Sequence, residues 1–372
     1  MNWDAIVIGG GVIGCSVSLR LRQAGLKVMM LERGQVGREA SRAAAGMLSP
    51  QTEASEPGPF FDLCLRSRAM YPTFADEIRS ISGIDSQYRD EGSLFLTFDE
   101  SEAAAIERWT TWQTEAGLAI ERLAIDTIQR LEPSVTKAAT GAVFVPGDHQ
   151  IDNRLLMNAL EVAARRAGVE VIEDKGADSL SVEGSRIAGV VCGHERYTAG
   201  SVVIAAGCWS SALLETAGLI IRVTPARGQM IAVKGDRLPI RSLVHSKRCY
   251  LVPRSDGRVL IGATVEYVGF EKGVTAGGIR SLLDAAIELV PEIGGFEIVE
   301  TWSGLRPDTV DHLPVLGPVG PDNLFLSTGH FRNGILLAPV TAVLISDAII
   351  NGRMPDELMP FSATRDGLQA HD

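Results

Sequence analysis

Residues 4–33 read DAIVIGGGVIGCSVSLRLRQAGLKVMMLER, and this stretch constrains the fold more than any other. Ala5–Ile8 is a short apolar run of the kind that forms a buried parallel strand. Gly9, Gly11 and Gly14 follow as G-x-G-x-x-G, and Val12, Val17, Leu19 and Leu21 then recur as in a helix that Gly25 ends. Lys27–Leu31 reads as a second strand, with Glu32 and Arg33 at its end. Each glycine serves a separate need. Gly9 allows the tight turn, Gly11 the approach of a pyrophosphate, and Gly14 close helix–strand packing. Val12 and Ile13 open the helix, whose free N–H groups and dipole favour an anion. Glu32 is placed to accept from an adenosine ribose and disfavours a 2′-phosphate. A bare glycine triplet is no more than a tight turn, but strand, helix and terminal acid together predict a dinucleotide site. They do not separate NAD from FAD.

Two later stretches have the same buried-strand texture: GVEVIE, which follows the helix-like LLMNALEVAARRA, and SVVIAAGCWSSALLE, where a strand runs into a helix through Gly207. From Arg222 to Thr264 the texture changes to period-two alternation, with Ser255-Asp256-Gly257 as a hairpin turn. The expected fold is α/β: a Rossmann-like dinucleotide-binding domain (1–86, 142–222 and 303–365) interleaved with an antiparallel-sheet α+β substrate domain (87–141 and 223–302).

The net charge of −11 argues against a nucleic-acid or anionic-membrane partner. The five cysteines, Cys15, Cys64, Cys192, Cys208 and Cys249, are an odd and scattered set, which reads as free thiols in a reducing, cytoplasmic setting. No basic segment precedes an apolar stretch in the first residues, so no secretory signal is expected. The apolar run from Gly334 to Ile350 is interrupted by Pro339, Ser346 and Asp347, so a buried terminal helix is expected rather than a membrane span. His149, His194, His245, His312, His330 and His371 form no metal-ligand spacing, and no metal is expected. There is no G-x-S-x-G elbow.

In GREASRAAAGMLSP, residues 37–50, a run of small residues around Ala44, Ala45 and Gly46 suits a backbone pressed against a flat cofactor, with Ser41 and Arg42 available to its phosphates. On composition alone the same run is a flexible loop. Together the triplet, Glu32, SRAAAGMLSP, VVIAAGCWS and WSGLRPD…GHFRNGILLAP resemble the D-amino-acid oxidase superfamily of FAD enzymes, and within it the glycine oxidases of thiamine biosynthesis. The likeness runs from residue 4 to about residue 350. It implies FAD as cofactor, with Ala177 near the adenine moiety and Ala206, Gly207 and Trp209 along the cofactor. No cysteine follows Cys249, so the cysteine link that some sarcosine oxidases make to flavin is not expected, and the FAD is noncovalent.

A flavin oxidase mainly has to orient its substrate's Cα–H toward the flavin, and the handle is the carboxylate. The resemblance makes Arg306 its bidentate anchor, where residue type alone allows a structural ion pair equally. It gives Tyr250 a hydrogen bond to the same carboxylate, where packing is the plain alternative. It also brings Arg332 to the substrate. His330, Phe331, Asn333, Gly334 and Ile335 would then present a helix N-terminus to the flavin's C2=O and N1, against the charge that develops there. The plain alternative is an ordinary Asn N-cap. Met47 and Val265 are expected to wall the pocket. Val265 stands where glycine oxidases often carry methionine, and Arg248 where some relatives carry histidine.

These readings predict a small amino acid or amine bound with its amine neutral, hydride transfer from Cα to N5, hydrolysis of the imine, and dioxygen reduced to peroxide. A homo-oligomer, by family habit a tetramer, is expected. The rivals are a D-amino-acid or sarcosine dehydrogenase or oxidase, the dehydrogenase passing electrons to a quinone or other carrier, an RNA-modifying flavoprotein, which the acidic charge opposes, and a non-enzymatic FAD binder.

Overall fold

The structure is a computed structural model that describes every residue except 1, 54, 55, 366, 367 and 369–372. Of the residues singled out above, only His371 lies outside the described residues. Two large sheets organise the chain. In the first, the strands Leu324–Thr328, Glu195–Ile204, Asn2–Ile8, Val28–Leu31 and Glu170–Ile172 lie side by side in that order, all parallel. Val315–Pro318 joins one edge antiparallel, and a hairpin of Ser179–Glu183 and Arg186–Cys192 extends from the start of Glu195–Ile204. The helix Val12–Gln23 connects the neighbouring strands Asn2–Ile8 and Val28–Leu31, as the spacing predicts.

The second sheet runs Glu297–Asp308, Thr224–Lys234, Arg258–Gly262, Tyr250–Pro253, Leu243–His245, Ser93–Thr97, Gly141–Val145 and Glu121–Leu123. It is antiparallel except where Leu243–His245 lies parallel to Ser93–Thr97. That exception joins strands contributed by two separate visits of the chain, so no hairpin fixes their direction. Two expected crossings are displaced. The strand Gly141–Val145 belongs wholly to this sheet, and Glu297–Asp308 continues past residue 303 because it pairs with Thr224–Lys234 up to Asp308.

Thr224–Lys234 does not show the expected half-exposed alternation: nine successive residues, from Pro225 to Val233, are buried. The period of two survives in what each face touches. Ile231 and Val233 pack with Leu282, Ala286 and Leu289 of the helix Ala276–Leu289. Met230 and Ala232 turn the other way, toward Ala45, Met47, Tyr250 and Trp302. The sheet is covered on one side by a helix and on the other by the small-residue segment of the first layer.

The apolar run near the C-terminus forms the helix Gly334–Asn351, buried on nearly every side against Val12–Gln23 and the long helix Pro59–Ser82. By length and composition it is the one helix among the described residues that could span a membrane, and most of it is enclosed by the fold. Pro339 lies inside it and cannot donate to the carbonyl four residues earlier, that of Ile335. The buried Tyr71 hydroxyl donates to that carbonyl instead, and Ser67 Oγ donates to the Leu336 carbonyl at 2.6 Å. A polar pair from the long helix thus completes the first turns of an otherwise apolar one. Tyr71→Phe should destabilise the protein by about 1–3 kcal/mol, the cost of an unpaired buried carbonyl. In a Pro339→Ala background, where the backbone donor is restored, the loss should shrink, as a double-mutant cycle of denaturant unfolding would show.

Candidate active site

Between the two sheets lies an elongated cavity of about 500 Å³. One end is built by the opening βαβ unit. Gly9 sits at φ +109°, a left-handed conformation that favours glycine, and a Cβ there would lie 2.4 Å from the Ala205 carbonyl oxygen. A Cβ on Gly14 would lie 1.8 Å from the Gly9 carbonyl oxygen, so its role is packing, and it does not itself line the cavity. Gly9, Gly11, Val12 and Ile13 do. The Val12 N–H is taken by Ser41 Oγ at 2.9 Å. Glu32 accepts from the Gly10 N–H at 2.7 Å and the Gly34 N–H at 2.9 Å, so the acid shapes the turn as well as facing the cavity. Arg33 lies across the Trp209 ring, 3.4 Å from its centroid, and Phe270 packs on Trp209 at 5.6 Å. Ala177, Ala206 and Gly207 complete this end.

The small-residue segment forms the wall. Ala40–Ala43 is a short helix, and Ala44, Ala45, Gly46 and Met47 follow it along the cavity. Three groups from elsewhere hold it. Trp302 Nε1 donates to the Ala43 carbonyl at 3.0 Å. Asn153 Nδ2 donates to the Ser41 and Arg42 carbonyls. Arg254, enclosed by protein, donates Nη2 to the Ala45 carbonyl at 2.6 Å and Nη1 to the Ile151 carbonyl at 3.1 Å. Burial lowers Arg254 to about 10, so it stays charged at neutral pH. Arg42 departs from the expectation: its side chain lies at a second, smaller pocket beside Met157 and Glu161, because the short helix turns it away from the cavity.

At the other end Met47, Tyr250, Arg306 and Arg332 line the same cavity. Arg306 Nη1 donates to the Thr264 carbonyl at 3.0 Å, and enclosure pulls its guanidinium below the ordinary arginine value. Burial pushes the Tyr250 phenol up, opposed by Arg306 and Arg332, and its hydroxyl reaches Met230 Sδ at 3.4 Å. Arg332 is raised by Glu53, whose Oε1 is 2.8 Å from Arg332 Nη2. Glu53 and Met230 also line the cavity, and no sequence motif surrounds them to signal it; Glu39 lines it too, from within the segment 37–50. Val265 was expected here but is 43% exposed and outside the lining. The backbone of Glu266 pairs with that of Arg227, and the Glu266 side chain takes the inward position against Arg227 and Gln229. Arg248 also lies away, paired with Glu288.

The turn before the terminal helix lies along the cavity from His330 to Ile335. Phe331 adopts φ +46°, which for a non-glycine residue costs on the order of 1 kcal/mol or more. Asn333 makes no side-chain capping bond, so the plain N-cap reading is not what the structure shows. His330 is buried and pushed down to about 3, hence neutral, with Nε2 3.3 Å from Thr341 Oγ1. All five cysteines are buried and free.

The cavity suits FAD by its own construction: a glycine cradle at a helix N-terminus, a slot walled by alanines, and a cationic far end. Over residues 4–348 the sequence matches the DAO family, described as FAD dependent oxidoreductase. The chain belongs to that family. A glycine oxidase of Geobacillus kaustophilus is 38% identical, over 98% of this chain and 97% of that one. The crystal structure of glycine oxidase from Geobacillus kaustophilus matches with a TM-score of 0.93 and 36% identity, covering 100% of this chain and 99% of that chain. A bifunctional protein ThiO/ThiG of Synechocystis is 36% identical over 97% of this chain, which spans 54% of that longer protein. These likenesses bear out the expected superfamily, the α/β fold, FAD as cofactor and the enzyme class, an FAD-dependent amino-acid oxidase. If Arg254 fixes the alanine wall, Arg254→Met should raise the FAD dissociation constant about tenfold, some 1.4 kcal/mol. Titrating apoprotein into FAD and following fluorescence quenching measures this; an unchanged constant would mean the wall holds without it.

Proposed function

We propose that this enzyme deaminates glycine oxidatively, accepting sarcosine and D-alanine as well, with a 2-oxo acid, ammonia or an amine, and hydrogen peroxide as products. The observation that carries the reading is Arg306. It faces the cavity beside Tyr250 and, among the described residues, forms no ion pair. An enclosed guanidinium without an acid is a site for a carboxylate. The names of the most similar relatives support glycine as the amino acid, and the ThiO/ThiG name supports a link to thiamine biosynthesis.

FAD, when bound, would supply the two-electron chemistry, as acceptor of a hydride from Cα and donor of the electrons that reduce dioxygen to peroxide. The protein's part is to bind and orient. Arg306 and Tyr250 hold the carboxylate, which fixes where Cα lies, and Met47 and Met230 exclude water around it. Water then hydrolyses the imine. Burial pushes His330 down to about 3, too weak a base to take a proton from the substrate's ammonium, so on this reading the amine enters neutral. The uncapped start of the terminal helix directs N–H groups and the positive end of its dipole at the cavity, suited to negative charge on the flavin.

On this reading the first sheet and its helices form the FAD-binding domain and the second sheet the substrate-binding domain. A homotetramer in the cytoplasm accompanies it, on the family resemblance. The purified yellow protein should release peroxide in air with glycine as its best or near-best substrate. Flavin bleaching by substrate without peroxide on admitting air would make it a dehydrogenase instead. Arg306→Ala should lower kcat/KM about a hundredfold or more while FAD content stays at the wild-type level. Loss of FAD alone would show that Arg306 serves the fold.

A further inference from the structure

The two arginines at the substrate end are in different electrical states. Arg306 spends one N–H on the Thr264 carbonyl and, among the described residues, meets no carboxylate. Arg332 is paired with Glu53 at 2.8 Å. Glu53 is not a swinging surface acid, since its side chain is only 19% exposed and it lines the cavity. It ends the short helix Pro50–Glu53, and the two residues before it are tied to Asp148. The Asp148 carboxylate accepts from the Gln51 N–H at 3.3 Å, from the Thr52 hydroxyl, and from Ser93 Oγ at 2.8 Å. Asp148 is itself wholly buried. The residues that lead into Glu53 are therefore tied down by a buried polar network, and the Glu53 carboxylate itself is held by Arg332.

Counting formal charges, Arg306 and Arg332 contribute two positive and Glu53 one negative, which leaves one uncompensated cation. One substrate carboxylate, with a neutral amine, balances it. A second carboxylate would need Arg332, and would meet the Glu53 charge in taking it. We propose that Glu53 is a specificity-determining residue: by holding Arg332 neutralised it confines the site to amines bearing a single carboxylate and turns away those bearing two. This rests on the amino-acid oxidase reading above. It makes Arg332 a partner that Glu53 withholds from a second anionic group, where Arg306 is the open anchor.

The test compares wild-type holoenzyme with Glu53→Gln and Glu53→Asp on sarcosine and iminodiacetate, which differ by one added carboxylate on the N-methyl carbon. The expected result is that the kcat/KM ratio of iminodiacetate to sarcosine rises tenfold or more in Glu53→Gln. In Glu53→Asp, which keeps the charge, it should stay near the wild-type ratio. A general fall on both substrates with the ratio unmoved would overturn the proposal, because Glu53 would then only position Arg332. A second arm needs no turnover: acetate and malonate are titrated into each holoenzyme and the flavin's visible absorbance is followed. Malonate should gain on acetate by a similar factor in Glu53→Gln alone, and an unchanged preference would again overturn the idea. If the wild type oxidises none of the amines, the glycine reading fails, while the malonate series still decides the role of Glu53.

Discussion

An eighteen-residue helix with almost no polar face has to be enclosed, and the layers of this protein are arranged around doing so for Gly334–Asn351. Its flanks are taken by Val12–Gln23 and Pro59–Ser82, the first of which is also the helix whose N-terminus opens on the cavity. Enclosure then raises a second demand. A buried backbone must be paired, and Pro339 removes one donor in a region water does not reach. Tyr71 and Ser67 answer it from the long helix, which fixes how the helix tip sits. The residues of that tip, from Arg332 to Ile335, are the ones that line the site. Function at the tip depends on the body being too apolar to move toward solvent.

The second sheet contributes through a division between the faces of one strand. Thr224–Lys234 gives Ile231 and Val233 to a core of its own, and Met230 and Ala232 to the cavity side. Because strand side chains alternate, neither set can shift without displacing the other. Arg254, just past the end of Tyr250–Pro253 in the same sheet, reaches carbonyls at Ala45 and Ile151. A charge in such surroundings is tolerated because its donors meet several acceptors. Its effect is to lock the alanine wall of the first layer to the sheet of the second, so that the cavity's width is set by hydrogen bonds and not by loose packing.

Much of this was legible in the sequence where one local pattern had one physical meaning. The Gly9–Gly14 turn was, because only glycine tolerates a Cβ distance of 1.8 Å from a carbonyl oxygen. So was the terminal helix, because no other place suits so apolar a run. Tyr250, Arg306 and Arg332 were found by their resemblance to a family; that they converge from separate segments is not visible in any window of sequence. The failures have the same root. Val265 alternates correctly along its own segment, but the bridge between Glu266 and Arg227 assigns the inward position to its neighbour. Arg42 sits within the right run on the wrong side of a four-residue helix. Glu53 carries no motif, and its importance comes from its pairing with Arg332, far away in sequence.

That last pairing bears on what an arginine-rich pocket can discriminate. Two free guanidiniums in a space this enclosed would repel each other and attract any polyanion of suitable size. Neutralising one with a fixed acid changes the site from a general anion trap into a holder of one carboxylate, and it does so without narrowing the cavity. The fixing matters as much as the charge. A mobile glutamate could swing away when a second anion arrived, at the cost of little more than its own solvation. Here the two residues before Glu53 are anchored to the buried Asp148, which fixes where the Glu53 side chain begins and keeps it within reach of Arg332. Steric selection in an apolar pocket distinguishes substrates by volume and gains only modest factors per methylene. Selection by a pinned counter-charge distinguishes them by charge, which is the property in which a small amino acid differs most from its dicarboxylic neighbours.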